Sequence, residues 1–144
     1  MVDLSAEDVI EHLDLAPHPE GGFYRETYRD EGTLDSGRSF GTAIYYLLRA
    51  EDRSCWHRVD ATEIWHWHGG GPLELSMRDG DEPARTFHLG TDFSKGQVPQ
   101  FVVPANIWQS ARPLEGWVLV GCTVAPGFEF SGFELAEDSV LPDC

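Results

Sequence analysis

Three of the six histidines lie in one stretch of the chain, residues 56–70, together with Asp60 and Glu63. His57 and Glu63 lie on two successive predicted strands, with a short turn at Asp60 between them. A histidine and a glutamate placed in this way can face each other across the interior of a barrel. Imidazole and carboxylate groups can ligate a divalent metal, and they can also act as an acid–base pair. The stretch therefore predicts a site that holds a metal or moves protons, with His57 and Glu63 at its centre.

Side-chain alternation divides the second of these strands into two faces. The face that includes the glutamate consists of Glu63, Trp65 and Trp67. His66 and His68 point the other way, so a regular strand does not bring them into the site of Glu63. A metal site built on His66 and His68 would need Glu74 as its carboxylate ligand. Glu74, however, follows a triple glycine and lies on the solvent-exposed face of its own strand. We interpret His66 and His68 as outer-face or interface histidines.

The segment 17–28 combines two prolines and two glycines with charged and aromatic residues. Such a loop is rigid and allows another group to approach its backbone closely. Arg25, next to the loop, can bind a carboxylate or phosphate through two parallel hydrogen bonds. Two interpretations stay open: a pocket wall, or an edge strand with solvated charges beside a structural turn. We interpret His18 in this loop as structural.

Short strands separated by turns follow one helix near the start of the chain. Ser5 and Asp8 have the spacing of a capping box, and apolar residues follow at helical spacing. Strands are predicted over residues 23–28, 42–49, 54–59, 62–68, 72–78, 85–89, 100–103, 107–111, 117–124 and 128–135. Many short strands with almost no helix predict an all-β barrel or sandwich, here one domain over residues 1–144. Segment 117–125 is apolar on both faces, which predicts a central strand.

The bulk composition excludes several classes of partner. The chain has 144 residues and a net charge of −15. So acidic a surface repels phosphate backbones and anionic membranes, so we expect neither nucleic-acid nor membrane binding. No apolar run is long enough to span a bilayer, and the acidic N-terminal segment lacks the layout of a signal peptide. We therefore predict a cytoplasmic protein.

Two segments resemble the signature motifs of the cupin superfamily. His57, Glu63 and Gly70 match the first histidine, the glutamate and the glycine of the first motif. In the second motif Pro104 matches, and Asn106 stands where glycine is usual, at a tight turn whose left-handed backbone asparagine tolerates. Segments 17–28, 60–75, 102–111 and 121–136 are also similar, in that order, to a cupin subgroup of unknown function. The resemblance covers residues 7–136 and implies a double-stranded β-helix, the RmlC-like jelly roll of sugar-nucleotide epimerases.

The same resemblance shows where this chain departs from metal-binding cupins. Val59 occupies the position of their second histidine, and Gln109 that of their last. The implied metal set is thus reduced to His57, Glu63 and Gln109. A glutamine carbonyl is a weaker ligand than imidazole, so the cofactor stays open between a weakly bound divalent metal and none.

The resemblance implies a small-molecule ligand in the barrel. One hypothesis is an epimerase- or isomerase-like enzyme acting on a carbohydrate or nucleotide-like substrate, with His57, Glu63 and Tyr24 as catalytic groups. Its predicted substrate-binding residues are Arg25, Tyr45, Trp65, Trp108 and Gln109, of which the two tryptophans neighbour motif positions. The alternatives are a binding or sensing protein without catalysis and an oxygenase that uses a weakly bound metal. The resemblance also implies a homodimer.

Overall fold

The structure is a computed structural model that describes residues 3–137. One α-helix, α1 (Ala6–Leu13), precedes eleven strands. The strands are β1 (Ala16–Pro17), β2 (Phe23–Arg29), β3 (Thr42–Leu48), β4 (Ser54–Val59), β5 (Thr62–Gly70), β6 (Leu73–Arg78), β7 (Arg85–Leu89), β8 (Gln100–Val103), β9 (Trp108–Pro113), β10 (Val118–Ala125) and β11 (Phe133–Leu135). Two short 3-10 helices complete the described elements, Phe93–Lys95 and Phe130–Gly132.

The strands form two antiparallel sheets. The larger sheet has the order β1-β2-β3-β10-β5-β8, and the smaller has the order β11-β4-β9-β6-β7. Strands account for 49% of the residues, which confirms the predicted all-β jelly roll with one short helix. The helix begins with the predicted capping box, in which the Ser5 hydroxyl accepts from the Asp8 amide and the Asp8 carboxylate accepts from the Ser5 amide, both at 3.1 Å. None of the helices within residues 3–137 has the length and apolar character that crossing a bilayer requires.

The main core lies between the two sheets, because each sheet turns one apolar face inward. In β6 the odd-numbered residues Leu73, Leu75 and Met77 are buried, whereas the residues between them are half-buried. Strand β10 pairs with β3 on one side and β5 on the other, so its predicted central position is confirmed. A smaller cluster packs α1 against the outer face of the larger sheet through Val9 and Leu47.

One predicted strand differs from the structure. The sequence predicts that residues 128–135 are extended throughout, but the structure has a 3-10 turn at Phe130–Gly132 followed by a strand of three residues. Three phenylalanines explain the change, because the rings of Phe128, Phe130 and Phe133 pack edge-to-face against one another with centroids 4.9 to 6.0 Å apart. Such a cluster requires the chain to bend, since a straight strand points residues 128 and 133 to opposite faces.

The turn between β8 and β9 depends on Asn106. Its backbone is left-handed, with φ of 68°, and its amide donates to the Val59 carbonyl at 2.8 Å. We expect Asn106→Ala to destabilise the fold by about 1 kcal/mol, because a β-carbon without a helpful polar side chain is strained in this region. Asn106→Gly should be tolerated, since glycine adopts this conformation freely. Urea unfolding of the two variants checks the prediction, and an equal loss of stability in both would contradict it.

Candidate active site

A cavity of about 750 Å³ opens at one end of the barrel. Its wall carries polar side chains from the segment before β2 and from the inner faces of β4 and β5. The titratable groups that concern the chemistry are His18, Glu20, Tyr24, Arg25, His57 and Glu63. Apolar residues such as Ile44, Val124 and Phe128 line the rest. A cavity of this size and composition is suited to a small molecule.

The β4–β5 hairpin brings the two predicted central residues to this cavity. His57 on β4 pairs with Gln109 on β9, and Glu63 on β5 pairs with Val103 on β8 and with Val124 on β10. His57 is 1% and Glu63 7% exposed. The Gln109 amide nitrogen donates to Glu63 Oε1 at 2.8 Å, so the three side chains converge inside the barrel.

Trp65 fixes the orientation of Gln109. The indole Nε1–H can only donate, and it donates to Gln109 Oε1 at 2.8 Å. The carbonyl oxygen of Gln109 therefore faces Trp65, and its NH₂ group faces Glu63. Trp65 and Gln109, both predicted to bind the substrate, are each 1% exposed, and neither lines the cavity.

This orientation decides whether the residues fit a metal. The only oxygen of the Gln109 side chain is turned towards Trp65, and the group that Gln109 presents to Glu63 is a donor. Val59 supplies no ligand at the second histidine position. Within residues 3–137 no group of three or more histidine, cysteine, aspartate or glutamate side chains is arranged to hold a metal ion. The set of His57, Glu63 and Gln109 thus does not fit a divalent metal.

A carboxyl group that the sequence analysis did not single out lies beside His57. Glu20 is buried, and its two oxygens lie 3.5 Å from two different imidazoles: Oε1 from His18 Nδ1, and Oε2 from His57 Nδ1. Ser54 donates to Glu20 Oε2, and the Tyr46 hydroxyl lies 3.2 Å from the same oxygen. One feature of the sequence could have identified Glu20 as a site residue: it lies two residues after a histidine in a loop rich in proline and glycine.

Burial governs the protonation of these groups. It raises the pKa of Glu63 to about 7, against the opposing charge of His57. It also raises the pKa of Glu20 to about 7, against hydrogen bonds from Ser54 and Tyr46. It lowers the pKa of His18 to about 4, aided by the charge of His57, and lowers that of His57 against the charge of Glu63. At neutral pH the two imidazoles are therefore unprotonated, and the two carboxyl groups are divided between their protonated and ionised forms.

Tyr24 and Arg25 lie on the cavity wall. The Tyr24 ring meets the His18 ring edge-on, with centroids 4.4 Å apart. Arg25 Nε donates to the Leu13 carbonyl at 2.7 Å, which ties the guanidinium to the end of α1. Of the two interpretations of this segment, the structure supports the pocket wall.

Tyr45 and Trp108, which the sequence analysis assigns to substrate binding, do not line the cavity. Tyr45 packs on the outer face of the larger sheet near His68, with ring centroids 6.5 Å apart. Trp108 lies under the guanidinium of Arg58 at 4.5 Å. Alternation explains both positions, because the neighbouring Tyr46 and Gln109 take the inward places.

The two histidines of the alternative metal pair lie outside the cavity. His66 contacts the Thr123 hydroxyl at 3.1 Å and the Gln100 amide at 3.2 Å. His68 lies above Gly121, where an added β-carbon would be 2.6 Å from its Nε2. Strand alternation thus separates both residues from Glu63, as expected.

A family model and several proteins of unknown function match this chain. Residues 7–136 match the model described as Cupin superfamily (DUF985). The crystal structure of a protein from Shewanella oneidensis superimposes with a TM-score of 0.92 at 40% identity, covering 96% of this chain and 89% of that chain. A hypothetical protein from Leishmania major gives a TM-score of 0.88 at 31% identity, over 96% and 90% of the two chains. An uncharacterized protein from Saccharomyces cerevisiae is 29% identical over 147 residues, or 88% of this chain and 72% of the yeast protein. The chain therefore belongs to the DUF985 family of the cupin superfamily.

Proposed function

We propose that this protein is an acid–base enzyme of the isomerase or epimerase type, acting on a carbohydrate-like molecule held in the barrel cavity. The observation that carries the proposal is the pairing of His57 and Glu63 on the wall of one cavity, both buried and electrostatically coupled. Burial lowers the pKa of His57, which keeps the imidazole in the unprotonated form that a base needs, and it raises the pKa of Glu63 to about 7, where a carboxyl group can act as an acid. The metal-dependent oxygenase alternative loses support, because the ligand set does not fit a metal.

His57 has the form that a general base needs. Its Nδ1 lies 2.7 Å from the Cys55 carbonyl, which can only accept, so Nδ1 carries the ring proton. In the neutral ring Nε2 then holds the lone pair. Nε2 would take a proton from a carbon next to a substrate carbonyl, while protonated Glu63 donates to the carbonyl oxygen. Return of the Nε2 proton to the opposite face of the same carbon, while Glu63 takes back the hydroxyl proton that it donated, gives epimerisation. In a substrate with a hydroxyl group on that carbon, return of the proton to the former carbonyl carbon, while Glu63 takes the proton of that hydroxyl group, gives isomerisation.

The charged groups of the cavity favour an uncharged substrate over a nucleotide. Arg29 donates to both oxygens of Glu26, at 2.8 and 2.9 Å, and to the Phe128 carbonyl. Arg25 is held by the Leu13 carbonyl. Besides Glu20 and Glu63, three further acidic residues line the same cavity: Asp14, Glu26 and Glu129. A pyrophosphate group would therefore compete with existing partners and meet negative charge, whereas sugar hydroxyls would find both donors and acceptors.

Deuterium incorporation tests the proposal with a panel of candidate sugars. The purified protein is incubated in D₂O with aldoses, ketoses and keto-sugar acids, and with nucleotide sugars as a separate arm. We expect mass spectrometry to show deuterium at the carbon next to the carbonyl in at least one uncharged sugar. Binding detected by thermal shift without exchange would indicate a binding protein instead. Exchange confined to nucleotide sugars would contradict the assigned substrate class.

A further inference from the structure

His18 turns one ring nitrogen to its own loop and leaves the other to the cavity. The residue lies in the loop before β2, is buried and lines the cavity. Its Nδ1 accepts the backbone N–H of Glu20 at 3.1 Å. That bond occupies the single lone pair of Nδ1, so the proton of the neutral ring is on Nε2. His18 is thus a fixed donor, and the role proposed above for His57 and Glu63 does not use it.

The Nε2–H group of His18 has no acceptor within residues 3–137, where the one hydrogen bond of this ring is the bond at Nδ1. The atom is not enclosed either. Among the buried side-chain nitrogens and oxygens of the same residues, Arg78 Nε is the one that is both enclosed and without a partner. His18 Nε2 therefore opens on the cavity that the side chain lines. A polar group without a partner at a cavity wall favours a ligand that supplies the missing hydrogen bond.

Aromatic rings and burial keep this donor in one orientation and one protonation state. The ring of Tyr24 meets His18 edge-on with centroids 4.4 Å apart, and the rings of Tyr46 and Phe133 lie at 5.6 and 6.0 Å. Burial lowers the pKa of His18 to about 4, aided by the charge of His57, so the ring is neutral at neutral pH. A neutral imidazole can donate a hydrogen bond to a substrate oxygen without changing its own protonation.

His57 is the common neighbour of Glu63 and His18. The Nδ1 atoms of His57 and His18 lie 3.5 Å from the two oxygens of one carboxyl group, that of Glu20. The charge of His57 also acts on the pKa of Glu63 and on that of His18. A substrate with its C–H bond at His57 and its carbonyl oxygen at Glu63 can therefore reach His18 with another substituent of the same carbon.

We infer that His18 Nε2 binds a hydroxyl oxygen on the carbon that gives up its proton, so that the substrates of this site are α-hydroxy aldehydes and α-hydroxy ketones. The inference rests on the proposed function and narrows its substrate class. A hydroxyl oxygen has lone pairs that accept from Nε2, whereas a hydrogen atom in its place would leave the buried donor unpaired. His18 only forms a hydrogen bond and keeps its proton, and the proton of the bound hydroxyl group stays available to Glu63. Besides the structural role inferred from sequence, His18 is thus a substrate-binding residue that determines specificity.

Hydroxyacetone tests the substrate class within one achiral molecule, because its carbonyl group lies between a hydroxymethyl carbon and a methyl carbon. The wild-type protein is incubated with it in D₂O, and ¹H NMR follows the loss of protons at both carbons. Relative to buffer alone, we expect the protein to accelerate exchange at the hydroxymethyl carbon about tenfold more than at the methyl carbon, which is what one ordinary hydrogen bond contributes. Equal acceleration at the two carbons would overturn the inference and leave the proposed function intact. If a sugar exchanges and hydroxyacetone does not, the same comparison is made between that sugar and its analogue without the hydroxyl group.

Two variants at position 18 separate the donor from the loop. Asparagine keeps an oxygen that can accept the Glu20 amide, but its side chain is too short to replace Nε2. Glutamine can place an N–H group near the position of Nε2. We expect His18→Asn to lower the preference for the hydroxymethyl carbon about tenfold and His18→Gln to retain most of it. His66→Asn, on the outer face of β5, is the matched control and should keep the wild-type preference. An unchanged preference in His18→Asn, or a loss confined to His18→Gln, would overturn the inference.

Long-range ¹H–¹⁵N NMR provides a readout that does not depend on exchange. The wild-type protein should show His18 protonated at Nε2, and hydroxyacetone should shift this signal more than acetone, which has no hydroxyl group. A proton on Nδ1 of His18, or equal shifts with the two ketones, would overturn the inference. Absence of exchange in the wild type with hydroxyacetone and with every candidate sugar would instead overturn the proposed function, whatever the NMR spectra show.

Discussion

The Glu63→Gln variant should be more stable than the wild-type protein at pH 8, and its advantage should shrink as the pH falls to 4.5. Burial raises the pKa of Glu63 from its ordinary 4.5 to about 7. Between these values the unfolded chain has lost the proton and the folded chain still holds it, so rising pH favours unfolding. Each pKa unit corresponds to about 1.4 kcal/mol, so the full effect is about 3 kcal/mol. An amide does not ionise, and the variant avoids this loss.

Glutamine fits the place of Glu63 because its carbonyl oxygen can still accept from the Gln109 amide. The measurement is the urea unfolding free energy of both proteins at several pH values from 4.5 to 8. Glu134→Gln serves as the control, since its exposed carboxylate should give a small and constant difference. A difference between Glu63→Gln and the wild type that does not change with pH would show that Glu63 titrates normally.

The comparison between variant and wild type is needed because other titratable groups also change the free energy of unfolding with pH, some raising it and some lowering it. The pKa of Glu20 is also raised to about 7, so Glu20 lowers the stability over the same range. His18 acts oppositely: its folded pKa is lowered to about 4, so its contribution is lost as the pH falls below 6.5. The lowered pKa of His57 has the same sign. The stability of the wild type alone should therefore change little between pH 4.5 and 6.5, where these contributions oppose each other.

Local rules predicted the parts of this fold that local interactions determine. The capping box of α1, the inward residues of β6 and the left-handed Asn106 each depend on neighbours in sequence, and each is present. That Glu63 and Gln109 lie close together could also be predicted, from the alternation of side chains along the strands and from the spacing of the cupin motifs. The bend at Phe130 did not, because it depends on how three rings pack against one another.

Two physical causes explain why the sequence alone does not complete the site. Side chains alternate along a strand, so Trp108 must point outward once its neighbour Gln109 points inward. The sequence therefore contained enough information to exclude Trp108 from the substrate-binding residues. Glu20 is different, because nothing local indicates that the loop before β2 covers the barrel end beside His57. That position is fixed by long-range contacts, such as the Cys55 amide donating to the Glu20 carbonyl at 2.8 Å. A loop residue of this kind becomes visible only when the tertiary structure is known.

The largest effect on activity is expected for His57→Asn. This variant should lower the rate of deuterium exchange into the substrate by about 10²- to 10⁴-fold, the usual contribution of a general acid–base group. Asparagine keeps a side-chain N–H that can donate to the Cys55 carbonyl in place of Nδ1, but it has nothing equivalent to Nε2. The substitution therefore removes the proposed base while it preserves the buried hydrogen bond.

A matched pair of variants distinguishes loss of the base from damage to the barrel. His66→Asn makes the same chemical change on the outer face of β5 and should exchange at the wild-type rate. For His57→Asn we expect a large fall in kcat with little change in KM, because Nε2 acts on the transferred proton rather than on substrate binding. If both variants exchange like the wild type, His57 is not the base. If KM rises while kcat is kept, His57 contributes to binding alone. The proton must then be taken by another titratable group on the cavity wall, such as Glu63.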